Sequence, residues 1–193
     1  MLFLRDALAR ALERIESDKK IANVLISFRY SAYLFGDQLQ TYPDPPRREI
    51  RIGNRSAADS RELVWSGFET IIRRVQQSGK RVFVLLPVPD LGWDVSMHLR
   101  SHAKGNIHYA RGTSVEYARA RNEFINKKIE TLKWSETLIK IDPVASLCDP
   151  QYCYAIIGDE AMYFDHNHLS LAGSRRVLSV LKPYIESAPP DGK

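Results

Sequence analysis

Residues 81–87, Arg-Val-Phe-Val-Leu-Leu-Pro, form a short run that is apolar at every position between its ends. A strand with one wet face alternates polar and apolar residues. A run that is apolar on both faces must be covered by helices above and below. Asn23-Val-Leu-Ile-Ser-Phe28 shares this character, and Thr137-Leu-Ile-Lys-Ile141 reads as another short strand. Between them lie segments with apolar residues at helical spacing. Leu4, Leu8, Leu12 and Ile15 make one stripe, and Leu63, Phe68, Ile71, Ile72 and Val75 make a second, with Ser56 or Asp59 to start it and Gly79 to stop it. A third helix is predicted over 114–134, with Val115, Ala118, Phe124, Ile125, Ile129 and Leu132 inward, and a last one over 170–187. Tyr30 to Gly36 reads as a strand-to-helix turn, and Asp142-Pro143 starts a further helix. The stretches 37–56 and 90–113 read as loops, the first of them rich in proline. Helices alternating with buried strands give an α/β fold, a parallel sheet between helical layers.

At 193 residues, with 44% apolar and 26% charged residues, the chain has the profile of one folded domain over 1–193. No internal repeat or linker interrupts it. The net charge is 28 − 23 = +5, but the basic pairs Arg47/Arg48, Arg73/Arg74, Lys127/Lys128 and Arg175/Arg176 are dispersed. Dispersed pairs are solvated helix faces, so no nucleic-acid partner is expected. No apolar run reaches the ~18 residues that cross a bilayer, and the opening Met-Leu-Phe-Leu-Arg lacks the apolar region of a secretory signal. As written, the chain neither spans a membrane nor exports itself. Cys148 and Cys153, with four residues between them, could close a small ring in an oxidising compartment, which points the other way.

The densest chemistry lies in Tyr163-Phe-Asp-His-Asn-His-Leu-Ser-Leu-Ala-Gly173. Asp165 and His168 stand three apart, just before a helix that Ser170 can cap. Imidazole takes and returns a proton near neutral pH, and a neighbouring carboxylate fixes its tautomer. The pair would serve a nucleophile in this way. It would equally serve as a turn cap with His168 packed under the last helix. His166 and His168 form a His-x-His pair, with His98, His102 and His108 in the second loop, but no third ligand has zinc-site spacing. No metal or cofactor is expected.

Residues 22–180 resemble the SGNH-type (GDSL-like) domain found C-terminal to membrane acyltransferase-3 proteins, which O-acetylate bacterial surface polysaccharides. The matching pieces occur in the family's order: Val24-Leu-Ile-Ser-Phe-Arg-Tyr-Ser-Ala-Tyr33, then Val82-Phe-Val-Leu-Leu-Pro-Val-Pro-Asp-Leu-Gly-Trp-Asp-Val95, then Ile141-Asp-Pro-Val-Ala-Ser-Leu-Cys148 with Cys153, and the Asp165–His168 block. The resemblance implies a three-layer, flavodoxin-like α/β/α fold. It makes His168 the catalytic base, Asp165 its orienting acid, and Cys148 and Cys153 a disulfide facing the periplasm, with Cα atoms ~4.4–6.8 Å apart. It also implies an acyl donor, a saccharide acceptor such as lipopolysaccharide, a membrane acyltransferase-3 domain as partner, and a place at the periplasmic face of the inner membrane. Arg29 falls where the family's second block approaches the site, as an oxyanion or substrate contact or as a solvated charge.

One piece is missing. The family's nucleophile lies in a Gly-Asp-Ser-His segment upstream of the Val24 strand, and this chain has no Gly-Asp-Ser. Ser31 lacks the glycine neighbours of an exposed elbow and reads as helix-start chemistry. The family's first strand would lie between the strands at 23–28 and 81–86. Its absence predicts that the sheet closes by direct pairing, that the chain dimerises, or that it is marginally stable. The chain therefore reads as the C-terminal portion of a larger protein, inactive alone. The competing reading is a non-catalytic remnant or carbohydrate-contacting domain.

Overall fold

The computed structural model describes residues 2–36, 42–44, 49–92, 95–96, 99–100 and 111–186. α1 (Leu2–Ser17) leads into β1 (Asn23–Ser27) and α2 (Tyr30–Phe35), and α3 (Ala57–Gln77) leads into β2 (Arg81–Leu85). β3 (Arg111–Ser114), α4 (Val115–Arg121) and α5 (Glu123–Ile129) precede β4 (Leu138–Ile141) and α6 (Val144–Leu147). Three short strands follow, β5 (Tyr152–Tyr154), β6 (Ile156–Ile157) and β7 (Glu160–Ala161). The chain then runs through α7 (Leu171–Leu178), a 3-10 turn at Ser179–Leu181 and α8 (Lys182–Glu186).

The central sheet is parallel, in the order β1-β2-β4. β2 is buried along its whole length, as its composition predicts. Its side chains divide the core: Val82 and Val84 join Leu12 of α1 with Ile72 and Val75 of α3, while Phe83 and Leu85 join Leu147 of α6, Val177 of α7 and Leu181. Helices thus pack on both faces, giving three layers. Arg74 on α3 grips Glu16 on α1 with two bonds of 2.7 and 2.8 Å, fastening the first helix to its layer.

β1 pairs with β2 directly, from Asn23 opposite Arg81 to Ser27 opposite Leu85. The direct pairing of these two strands, one of the three outcomes expected from sequence, is what the sheet shows. The expectation that both faces of 23–28 are covered is corrected: Asn23, Leu25 and Ser27 are exposed, Leu25 by 40%. Val177 of α7 packs over β2 rather than β1, so only the face carrying Ile26 enters the core.

Other boundaries shift for local reasons. Ser56 starts α3 by accepting the Asp59 amide at 3.1 Å, and Gly79, at φ +78°, turns the chain after it. The helix predicted over 114–134 is two helices, broken at Asn122, whose side chain donates to the Ala118 carbonyl at 3.0 Å and competes with the helical ladder. The last helix breaks at Ser179–Leu181 because Pro183 has no amide to donate and its ring crowds the Ser179 carbonyl.

Cys148 and Cys153 are disulfide-bonded, with Cα atoms 3.9 Å apart, closer than the separation expected from sequence. The two residues oppose each other across an antiparallel bridge, where opposed Cα atoms approach to about 4.5 Å. The bond ties β5 to the end of α6, and Cys153 is buried against Val115 and Ala118 at the start of α4. Closing a ring of about six residues stabilises by about 2 kcal/mol in the chain-entropy account. Reduction is therefore expected to lower Tm by about 4–8 °C in a thermal scan with and without reductant. An unchanged Tm would count against the bond's structural role.

Candidate active site

Asp165 and His168 face each other in the turn between β7 and α7. Asp165 Oδ1 accepts the amides of Asn167 and His168, both at 2.8 Å, and Oδ2 lies 2.7 Å from His168 Nδ1. Partial burial pushes this carboxyl up, but the two amides and the His168 ring outweigh that and hold it at about 2. The carboxylate is thus ionised wherever imidazole titrates, and it keeps the ring proton on Nδ1. Nε2 is left as the acceptor, and among the described residues it has no hydrogen-bond partner. The His168 side chain is 71% exposed, so the reading in which it packs under the last helix does not hold. Asp165 does cap its turn, and it orients the ring as well.

The turn is clamped at both ends. The Phe164 amide donates to the His168 carbonyl at 2.7 Å, and Ser170 caps α7 by accepting the Gly173 amide at 3.0 Å. Gly173 permits this close approach, because a Cβ there would lie 2.0 Å from the Met162 carbonyl oxygen.

His168 borders an open cavity of about 440 Å³ at the C-terminal ends of β1 and β2. Its lining combines the apolar Leu25, Leu85, Val88, Leu169 and Leu178 with the polar Arg29, Ser31, Asp90, Asn122 and Asn167. Arg29 does not point freely into solvent. Its Nη2 lies 3.2 Å from His166 Nε2, and its Nε lies 3.6 Å from Asp90 Oδ1. Ser31 does not cap α2; its hydroxyl donates to Asp90 Oδ2 at 2.7 Å. Arg121 donates Nε to that same oxygen at 2.6 Å, and its side chain is fully buried.

Asp90, Arg121, Asn122 and Asn167 are absent from the residues singled out by sequence. A signal marks two of them in retrospect. Asp90 is an acid in the loop after the most buried strand, where ligands gather in open α/β sheets. Arg121 stands three after Ala118 and four before Ile125, a charge on an apolar helix face.

Among the described residues no three His, Cys, Asp or Glu side chains come together as a metal site. His166 turns to Arg29 and His168 to Asp165, so the His-x-His pair is divided between two partners. His98, His102 and His108 lie outside the described residues.

The family described as the SGNH domain (fused to AT3 domains) matches residues 4–183. No curated protein matches the chain. Among solved structures, the lipopolysaccharide acetyltransferase periplasmic domain of Salmonella ser. Paratyphi A is similar over 65% of this chain, with 15% identity and a TM-score of 0.49. The similarity spans 50% of that protein's chain.

Proposed function

Because the chain belongs to the family of SGNH domains fused to AT3 domains, we propose that it is the acyl-ester transfer portion of a polysaccharide O-acetyltransferase. The acceptor is a saccharide of the lipopolysaccharide type. The nucleophilic serine comes from a segment other than these 193 residues, so the chain alone does not turn over. The observation that carries this reading is the His168 ring, held at 2.7 Å by an ionised Asp165 with Nε2 open at the rim of a cavity.

In this reaction the serine hydroxyl gives its proton to His168 Nε2 as its oxygen attacks the acyl carbonyl. The leaving alcohol takes that proton, and an acyl-serine remains. A sugar hydroxyl, or water, then attacks the acyl-serine while His168 removes its proton and passes it back to the serine. Asp165 supports the imidazolium in both halves. Arg29, with donors to spare beyond the one on His166, contacts the oxyanion or the substrate. No step needs a metal or cofactor.

The partner is a membrane acyltransferase-3 domain, and the site faces the periplasm, where the Cys148–Cys153 disulfide persists. Among the described residues no helix is long and apolar enough to cross a membrane.

A second reading, a remnant without turnover, is favoured by one observation. Ser27, Ser31 and Ser174 border the cavity, yet no hydrogen bond joins any of them to His168 among the described residues.

The test measures p-nitrophenyl acetate hydrolysis by the 193-residue chain alone and by the chain fused to a strand and turn bearing Gly-Asp-Ser-His. No turnover alone and hydrolysis in the fusion are expected. Robust hydrolysis by the chain alone would place the alcohol within it, and an inert fusion would leave the remnant reading standing.

A further inference from the structure

We propose that Asp90 is a positioning residue for the Asp165–His168 couple, acting through Arg29 and His166. This rests on the acyl-transfer reading of that couple.

Asp90 is a single carboxylate between two guanidinium groups. Arg121 reaches it from within at 2.6 Å, and Arg29 approaches from the cavity at 3.6 Å. The Asp90 and Arg121 side chains are 4% and 0% exposed, whereas Arg29 is 28% exposed. One negative charge therefore holds two cations together, and Arg29 is the one free to leave. With Asp90 neutral, the guanidinium groups would face each other uncompensated, and Arg29 would swing into solvent.

What Arg29 does while it is held follows from its chemistry. A guanidinium only donates hydrogen bonds. His166 Nε2, at 3.2 Å from Arg29 Nη2, must then be the unprotonated nitrogen, which fixes His166 as the neutral Nδ1–H tautomer. The Asn167 side-chain amide lies 3.3 Å from the same nitrogen. An acceptor there can only take the amide's NH₂ end, so the Asn167 orientation is fixed too. Both residues lie between Asp165 and His168.

Backbone contacts from the same loop add to the grip. The Leu91 amide donates to the His166 carbonyl at 2.6 Å, and the Tyr163 hydroxyl donates to the Pro89 carbonyl at 2.9 Å. Residues 89–91 thus hold the catalytic turn on both sides of Asp165. If Asp90 served only to neutralise Arg121, Arg29 would have no reason to be shared between Asp90 and His166.

Imidazole ¹⁵N NMR on the 193-residue chain tests the link without requiring activity. Wild-type His166 is expected as a single Nδ1–H tautomer. Asp90→Asn is expected to shift His166 toward the Nε2–H form, although residue 90 does not touch the ring. Arg29→Met, at a partly exposed position, gives the same shift and carries the test alone if Asp90→Asn does not fold. Arg29→Lys restores the wild-type tautomer in part. Ser31→Ala, which removes a different bond to the same carboxylate, leaves His166 unchanged. A His166 signal that stays wild-type in Arg29→Met, or a wild-type ring already in the Nε2–H form, overturns the proposal.

In the serine-bearing fusion, Asp90→Asn is expected to lower kcat about 10–100-fold with little change in KM. A shifted tautomer with unchanged kcat overturns the positioning role and leaves the acyl-transfer reading intact. An inactive wild-type fusion does the opposite, removing that reading while the NMR link stands.

Discussion

In the serine-bearing fusion, His168→Ala is expected to lower kcat for ester cleavage by about 10²–10⁴-fold, the range of a general base. The fold should survive the change. The side chain is largely exposed and makes one side-chain bond, to Asp165, while the two amides that hold Asp165 belong to the backbone and remain. The loss is therefore kinetic, and circular dichroism and Tm should match the parent within error. Asp165→Asn makes the complementary case. Its amide can still meet the backbone donors through oxygen, but it then presents NH₂ to the ring and favours a proton on Nε2, the nitrogen that must stay free. A comparable fall in kcat is expected. A His168→Ala fusion that keeps full activity would remove the proposed mechanism.

Arg121→Met is expected to have the largest effect on stability, a loss of about 3–5 kcal/mol. The Asp90 carboxylate would stay buried with only the Ser31 hydroxyl in close contact and Arg29 at 3.6 Å. The substitution also removes a guanidinium whose Cζ lies 5.7 Å from the centre of the Phe35 ring. Since a domain's whole stability is about 5–15 kcal/mol, the variant should unfold at much lower denaturant. Replacing both charges, as in Asp90→Leu with Arg121→Met, should recover much of the loss, because no unpaired charge is then left inside. A urea midpoint unchanged in the single variant would show that the pair is not coupled.

The strands that organise the sheet are legible in the sequence because burial on two faces leaves a compositional mark. Val82 to Leu85 carry it fully; Asn23 to Ser27 carry it too, yet one of their faces is open. Which neighbour covers a strand is a tertiary fact that a five-residue run does not encode. The break at Asn122 was hidden for a similar reason, since the apolar stripe continues through it while the Asn122 side chain competes for the Ala118 carbonyl.

The Asp165–His168 contact was legible because it is local, the two residues being three apart. The buried cluster behind it was not. Asp90 meets Ser31, 59 positions away, and Arg121, 31 positions away, and no local pattern announces such meetings. Arg29 was found through family resemblance, but its partners Asp90 and His166 were not.

The four-residue span of the Asp165–His168 turn has a consequence for how the proposed activity could be dismantled. Every hydrogen bond that joins the Asp165 carboxylate to the His168 residue originates within the turn itself, while residues 89–91 hold the turn as a whole. The pairing is therefore a property of a short cassette, and the loop after β2 sets how that cassette is held at the cavity. On the acyl-transfer reading, supplying the reacting alcohol would leave this carboxylate–imidazole pairing where it already stands.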